Sequence, residues 1–250
     1  MAYERMANIY DQFMKDAPYD DWVSFTEEFI ARSPLKVTSI LDLGCGTGEI
    51  ALRLAQKGYA VTGVDYSADM LSIAEQKAND QHLDIHWVHQ DLRALDGFTM
   101  VDVAVCYCDV VNYITTTEEL EQVFGRVSKA LRPGGLFLFD VHSLFHVEHN
   151  LVNQTFADID EESSYIWFCS EGDEKGSMYH DLTFFMQDGS QYTRFDEAHY
   201  QRTYSMDVYT ALLQQAGFEI NQITADFSLE NKKIDEKAAR LFFIAEKRSG

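Results

Sequence analysis

The chain has 250 residues, 46 % of them apolar and only three of them proline, which suits one domain with a sizeable core and no linker. Twenty Lys and Arg against forty-one Asp and Glu give a formal charge of −21. That field repels phosphate backbones. The nearest basic group, Lys232, Lys233, Lys237 and Arg240, is broken by Asp235 and Glu236, which argues against a nucleic-acid partner. No apolar run is long enough for a membrane span, and Met1 to Arg5 does not open a signal peptide, so a cytoplasmic protein is expected. The four cysteines form no Cys-x-x-Cys pair and read as thiols.

In chain order, Met6, Ile9, Tyr10, Phe13 and Met14 recur at helical spacing. Pro18 to Trp22 opens a second helix with Trp22, Phe25 and Phe29 on one face. Val37 to Ile40 is β-branched enough for a buried strand, and Ile50 to Ala55 reads as a helix. Between them, Leu41-Asp42-Leu43-Gly44-Cys45-Gly46-Thr47-Gly48-Glu49 sets three alternate glycines on a strand-to-helix turn. A Cβ-free turn admits a ligand to the backbone, and the helix start offers it free N–H groups. Two ligands fit this turn. Gly46 to Ala51 satisfies the dinucleotide pattern with Ala in third place. Asp42, however, would repel a pyrophosphate and suits the ammonium and sulfonium of S-adenosylmethionine.

Tyr59 to Asp65 is a second strand whose closing acid can accept ribose hydroxyls, and Ser67 can cap the helix that carries Met70 and Leu71. Asp84 to His89 is a third strand, leading into Gln90-Asp91-Leu92. Val101 to Cys106 is a fourth, running into Tyr107 to Tyr113. Leu131-Arg132-Pro133-Gly134 reads as a helix stop before a fifth strand, Gly135 to Val141. His142, His146 and His149 have helical spacing, and a solvated helix face accounts for them better than a metal. Ser164 to Cys169, Met178 to Met186 and Gln191 to Tyr204 read as antiparallel strands, the last two joined by a hairpin turn at Gln187-Asp188-Gly189-Ser190. Period two puts Glu197, His199 and Gln201 on one face and Tyr200, Arg202 and Tyr204 on the other. Asp207 to Ala216 is a helix stopped by Gly217. Phe218 to Thr224 and Arg240 to Glu246 are the last two strands.

The acidic residue before Gly-x-Gly-x-Gly, with Asp65 and Asp91 following at strand ends, resembles the class I S-adenosylmethionine-dependent methyltransferases. The N-terminal pattern Tyr10, Asp11, Met14, Pro18, Tyr19, Asp20, Trp22 resembles a group of small bacterial members. The resemblance implies an α/β fold: a Rossmann-like, seven-stranded, mostly parallel sheet with an antiparallel last strand and helices on both faces, plus an antiparallel β insertion. It implies one domain, 1–250, divided into a helical cap (1–33), a cofactor-binding core (34–144), the insertion on the acceptor side (145–204) and the end of the core sheet (205–250). S-adenosylmethionine is the implied cofactor, with Tyr10, Asp42, Gly44, Cys45, Gly46, Gly48, Asp65, Tyr66, Met70, Asp91, Leu92 and Cys106 as its expected contacts. A general base is needed only for an acceptor that arrives protonated. His142 and Tyr113 are the expected candidates, with His199 more distant, and His180, Glu197, Arg202 and Tyr204 are expected on a small-molecule acceptor. No metal is expected. The alternatives are a nicotinamide-dependent oxidoreductase and a non-catalytic S-adenosylmethionine-binding module.

Overall fold

The computed structural model describes residues 11, 14, 16–230 and 232–248. Of the five apolar and aromatic residues that mark the expected first helix, Met14 alone is among them; Met6, Ile9, Tyr10 and Phe13 lie outside the described residues. Helix α1 (Tyr19–Arg32) buries Tyr19, Trp22, Val23, Phe25 and Phe29. Then follow β1 (Ser39–Leu43), α2 (Glu49–Gln56), β2 (Ala60–Asp65), α3 (Ala68–Asp80), β3 (His86–His89), β4 (Val101–Cys106), α4 (Thr117–Ala130) and β5 (Leu131–His142). Four further strands come next: β6 (Gln154–Ile159), β7 (Ser163–Glu171), β8 (Ser177–Asp188) and β9 (Gln191–Arg202). Helix α5 (Met206–Gln215), β10 (Phe218–Ala225) and β11 (Arg240–Lys247) close the chain.

Seven strands form one sheet in the order β10-β11-β5-β4-β1-β2-β3. Strands β1 to β5 pair in parallel, while β11 is antiparallel to both β5 and β10. So the last strand alone runs against the others. Both faces are apolar because both are covered. On one face α1 and α2 pack over Ile40, Val61, Val103, Val105, Leu138, Phe242 and Ile244. On the other, Leu120, Phe124 and Val127 of α4 and Tyr209 and Leu213 of α5 pack over Leu41, Ala104, Phe137, Phe139 and Phe243. The strand order reverses between β1 and β4, which leaves a crevice at their carboxyl ends, where open α/β sheets hold ligands. Local chemistry agrees at the helix ends. The Ser67 hydroxyl accepts from Met70 N at 3.3 Å, and Gly217 takes φ 90° after α5.

Two readings need correction. Strand β5 starts at Leu131, directly out of α4, and not at Gly135. The breakers make a bulge: Val101 pairs with Leu131 but Val103 with Leu136, so residues 132–135 of β5 oppose Asp102 alone on β4. The insertion has four strands, not three, in the order β6-β7-β8-β9. Strand β6 is a short edge strand with mostly exposed side chains, so it carries almost no alternation to read. Below this second sheet lies a small core of Val147, Leu151, Cys169 and Met178, with Phe156 and Trp167 against it. None of the described helices is long and apolar enough to cross a membrane.

Candidate active site at the carboxyl edge of the sheet

The glycine turn is tied to the end of β2. Gly44 N and Cys45 N donate to Val64 O at 2.8 and 3.1 Å. Gly46 N donates to Asp65 Oδ2 and Ser67 N to Asp65 Oδ1, each at 2.8 Å. Each carboxylate oxygen of Asp65 keeps accepting capacity for a ligand hydroxyl. Burial raises the Asp65 pKa, and the N–H donors of Ser67 and Gly46 work against it. The glycines serve different ends. Gly46, at φ 54°, has no atom within 4 Å of where a Cβ would stand, so it opens a cradle for a ligand. Gly48, at φ 84°, would set a Cβ 2.8 Å from Trp87 and 3.0 Å from Ala74, so its smallness serves packing.

Asp42 is 2 % exposed, and its Oδ2 has no hydrogen-bond partner among the described residues. Burial, then the neighbouring Asp65 carboxylate, push its pKa up to about 7. An unpartnered buried carboxylate oxygen beside an open glycine cradle fits a cationic ligand group. Asp42, Gly46 and Asp65 together therefore fit S-adenosylmethionine. Among the other expected contacts, Leu92 and Cys106 are buried, Cys45 and Met70 half-buried. Tyr66 is 73 % exposed, and its carbonyl lies 2.7 Å from His89 Nε2. Both carboxylate oxygens of Asp91 already accept from Arg93, at 2.6 to 3.0 Å, so any ligand there shares the group with a guanidinium. Tyr10 lies outside the described residues.

Beyond β4 the backbone enters the left-handed region at two successive non-glycine residues, Cys108 (φ 57°) and Asp109 (φ 53°). This bend lets Asp109 N donate to Asp140 Oδ1 at 2.8 Å. The Asp109 carboxylate accepts from Arg240 at 3.0 Å and from Gln201 Nε2 at 2.8 Å, and lies 3.6 Å from His142 Nε2. Asp140 accepts from Trp22 Nε1 at 2.7 Å and lies 3.0 Å from the Arg240 guanidinium. Burial alone would raise the Asp109 pKa, but His142, Arg240 and the Gln201 hydrogen bond outweigh it and hold it low. Burial lowers His142 to about 4, so its imidazole is neutral at neutral pH. Desolvation, then the carboxylates of Asp109 and Glu197, raise the phenol pKa of Tyr113, which keeps that hydroxyl protonated.

The four-stranded sheet meets this edge with one face. His180 Nε2 lies 3.1 Å from Gln201 Oε1, and His180 Nδ1 accepts from Trp167 Nε1 at 2.9 Å. A chain Trp167–His180–Gln201–Asp109 thus joins the two sheets. On the same face His199 Nε2 lies 3.0 Å from Glu197 Oε2, and the His199 ring stands edge-on to Tyr113 at 5.9 Å. The inward face is therefore that of Glu197, His199 and Gln201. The other face takes Arg202 and Tyr204 elsewhere. Arg202 reaches Glu174 at 3.3 Å and lies over the Tyr204 ring at 4.7 Å, while Tyr204 Oη donates to Thr115 O at 2.6 Å. So His180 and Glu197 come to the edge with His142 and Tyr113, and Arg202 and Tyr204 do not. Sequence reasoning missed Asp140 and Arg240. Their signal was present: one acid inside the apolar run Leu136 to Val141, and one arginine opening the apolar run Leu241 to Ala245.

Comparison with known proteins agrees with this geometry. A family profile described as a methyltransferase domain matches residues 40–135. The protein named methyltransferase YqeM of Bacillus subtilis is 43 % identical over 248 residues, 99 % of this chain and 98 % of that one. The crystal structure of an S-adenosylmethionine-dependent methyltransferase from Clostridium acetobutylicum superposes with a TM-score of 0.89 at 31 % identity, covering 100 % of both chains. CalS10, an amino pentose methyltransferase from Micromonospora echinaspora with S-adenosylmethionine bound, shares the fold at TM-score 0.78 and 18 % identity over 96 % of each chain.

Proposed function

The chain belongs to the class I S-adenosylmethionine-dependent methyltransferases, and on that premise we propose that its acceptor is a small polar amine. Bound S-adenosylmethionine supplies a methyl group already activated on a sulfonium. What remains for the protein is to hold the cofactor, aim the acceptor and exclude water. In this reading Asp65 holds the ribose hydroxyls, Asp42 the positive methionine end, and Leu92 and Met70 the adenine. The acceptor enters between Tyr113 and His142 on the core and His180, His199 and Glu197 on the second sheet.

Charge carries the choice of an amine. The edge holds the carboxylates of Asp109, Asp140 and Glu197 against one guanidinium, Arg240, which two of them already share. Among the described residues no unmatched cation stands there to receive a phosphate or carboxylate acceptor, whereas an ammonium meets surplus negative charge. The overall charge of −21 steers in the same direction. The amino pentose acceptor named for CalS10 is of the same class. The test is a mass-spectrometric screen of polar amines, amino sugars included, beside their alcohol counterparts. The amines should gain one methyl in step with formation of the demethylated cofactor. Methylation of the alcohols alone would overturn the choice of acceptor.

A further inference from the structure

We propose that His199, oriented by Glu197, is the general base that removes the proton from the acceptor; this rests on the amine reading above. Three imidazoles face the mouth, and their partners separate them. His180 has both ring nitrogens engaged, one by Trp167 and one by Gln201. His142 sits 3.6 Å from Asp109 in a buried place that disfavours its protonated form. His199 differs from both. Its Nε2 is 3.0 Å from Glu197 Oε2, its Nδ1 has no hydrogen-bond partner among the described residues, and its side chain is 33 % exposed.

That geometry sets the tautomer. A carboxylate accepts only, so Nε2 carries the hydrogen and Nδ1 keeps its lone pair. Protonation at Nδ1 gives an imidazolium that still donates from Nε2 to Glu197. The titratable groups facing His199 are Glu197 on its own strand, His180 on β8 across the register, and Tyr113 from the turn after β4. An acceptor ammonium gives one proton to Nδ1 of His199. The freed nitrogen lone pair forms the N–C bond to the methyl carbon while the C–S bond breaks, and that electron pair stays on sulfur. His199 then returns the proton to water.

Two measurements test the dyad. The first needs no acceptor: in 15N-edited spectra of the free protein, His199 should show a bare, pyridine-type Nδ1 and a protonated Nε2, and Glu197→Gln should erode that preference. A protonated Nδ1 in the wild type would overturn the proposal. The second is kinetic, on whichever acceptor the screen yields. His199→Gln should lower kcat by roughly 100-fold near neutral pH, with cofactor binding by calorimetry unchanged. Its rate should recover as pH rises through the acceptor's own pKa, because the free nucleophile then needs no base. Glu197→Gln should show the same pattern, reduced. A wild-type rate in His199→Gln, or a deficit equal at every pH, would also overturn the proposal. Failure of the amine reading looks different: the wild type then methylates hydroxyls alone, while the spectra still judge the dyad.

Discussion

The two sheets of this protein are built to different standards. The seven-stranded sheet is sealed on both faces, with Phe139 at 0 % exposure and stacked on Phe243 at 4.9 Å. The four-stranded sheet covers one face over a small core and leaves Ile166, Phe168 and Tyr179 in solvent at 37, 51 and 38 %. Cofactor chemistry is the same for every acceptor, and the turns proposed to hold the cofactor ride on the sealed sheet. In the proposed reading, acceptor recognition rides on an added sheet joined to the first by polar contacts such as Gln201 to Asp109. On that reading the labour is divided: the proposed donor side is fixed by packing, and the proposed acceptor side is attached by hydrogen bonds.

The largest effect should come from the sealed sheet. Phe139→Ala removes a ring that also meets Phe124 at 5.4 Å and Phe137 at 4.9 Å. Loss of such a buried aromatic costs about 3–5 kcal/mol of stability. Urea melts followed by circular dichroism measure it, and a cost below about 1 kcal/mol would mean that this sheet is not the rigid half.

Asp42 comes next, because the sealed sheet stores an unfavourable group there. Its folded pKa of about 7 lies above its ordinary value of 3.8. The folded free protein therefore binds more protons than the unfolded chain between those values, and its stability falls as pH rises from about 4 through 7. Asp42→Asn removes that penalty, so the free variant should be more stable than the wild type at pH 8 by roughly 2–4 kcal/mol and little different near pH 4. Cofactor affinity should move the other way. In the wild type it tightens as pH rises through 7, when the carboxylate ionises, and in Asp42→Asn that dependence disappears. Thermal melts with and without S-adenosylmethionine across pH read both. Equal melts at pH 8 would show that the ionised Asp42 carboxylate carries no such penalty in the folded protein.

The surroundings of the glycine turn could be read from sequence because their signals are local. Asp42, the glycines and Asp65 fall at the ends of consecutive strands, and parallel topology brings consecutive strand ends together. Asp65→Ala should weaken cofactor binding by about 1.5–3 kcal/mol, and Asp65→Asn by less, since an amide oxygen still accepts. Calorimetry on both variants decides it. The acceptor side was less legible for a physical reason. Alternation sorted β9 into two faces but carried no sign of which one turns inward, since both mix aromatic and charged residues. The inward face is fixed by partners far away in the chain, Asp109 for Gln201 and Tyr113 for His199. Arg202 and Tyr204 were drawn to the site by their chemistry, yet Glu174 and Thr115 hold them elsewhere. The bulge at Leu131–Gly134 misled because Pro and Gly mark bulges as well as loops.

The smallest predicted effects separate the two faces of the attached sheet. Phe168 and Trp167 are neighbours in β7 and point to opposite faces. Phe168 lies on the solvent side, opposite Asp181 of β8 and Thr155 of β6. Phe168→Ser should change stability by no more than about 0.5 kcal/mol and leave turnover alone. Trp167 packs on Phe156 at 4.5 Å and gives its Nε1 hydrogen to His180. Trp167→Phe keeps most of the ring and removes that one bond, so its stability cost should be near 1 kcal/mol. Its informative effect is on turnover: His180 loses the donor that fixes its Nδ1 as acceptor, Gln201 loses a tautomer-defined partner, and Asp109 is held less well. A raised KM with unchanged cofactor affinity is the expected signature, because the link to the acceptor edge loosens while the donor turn stays intact. If Phe168→Ser raises KM and Trp167→Phe does not, the inward and outward faces have been assigned the wrong way round.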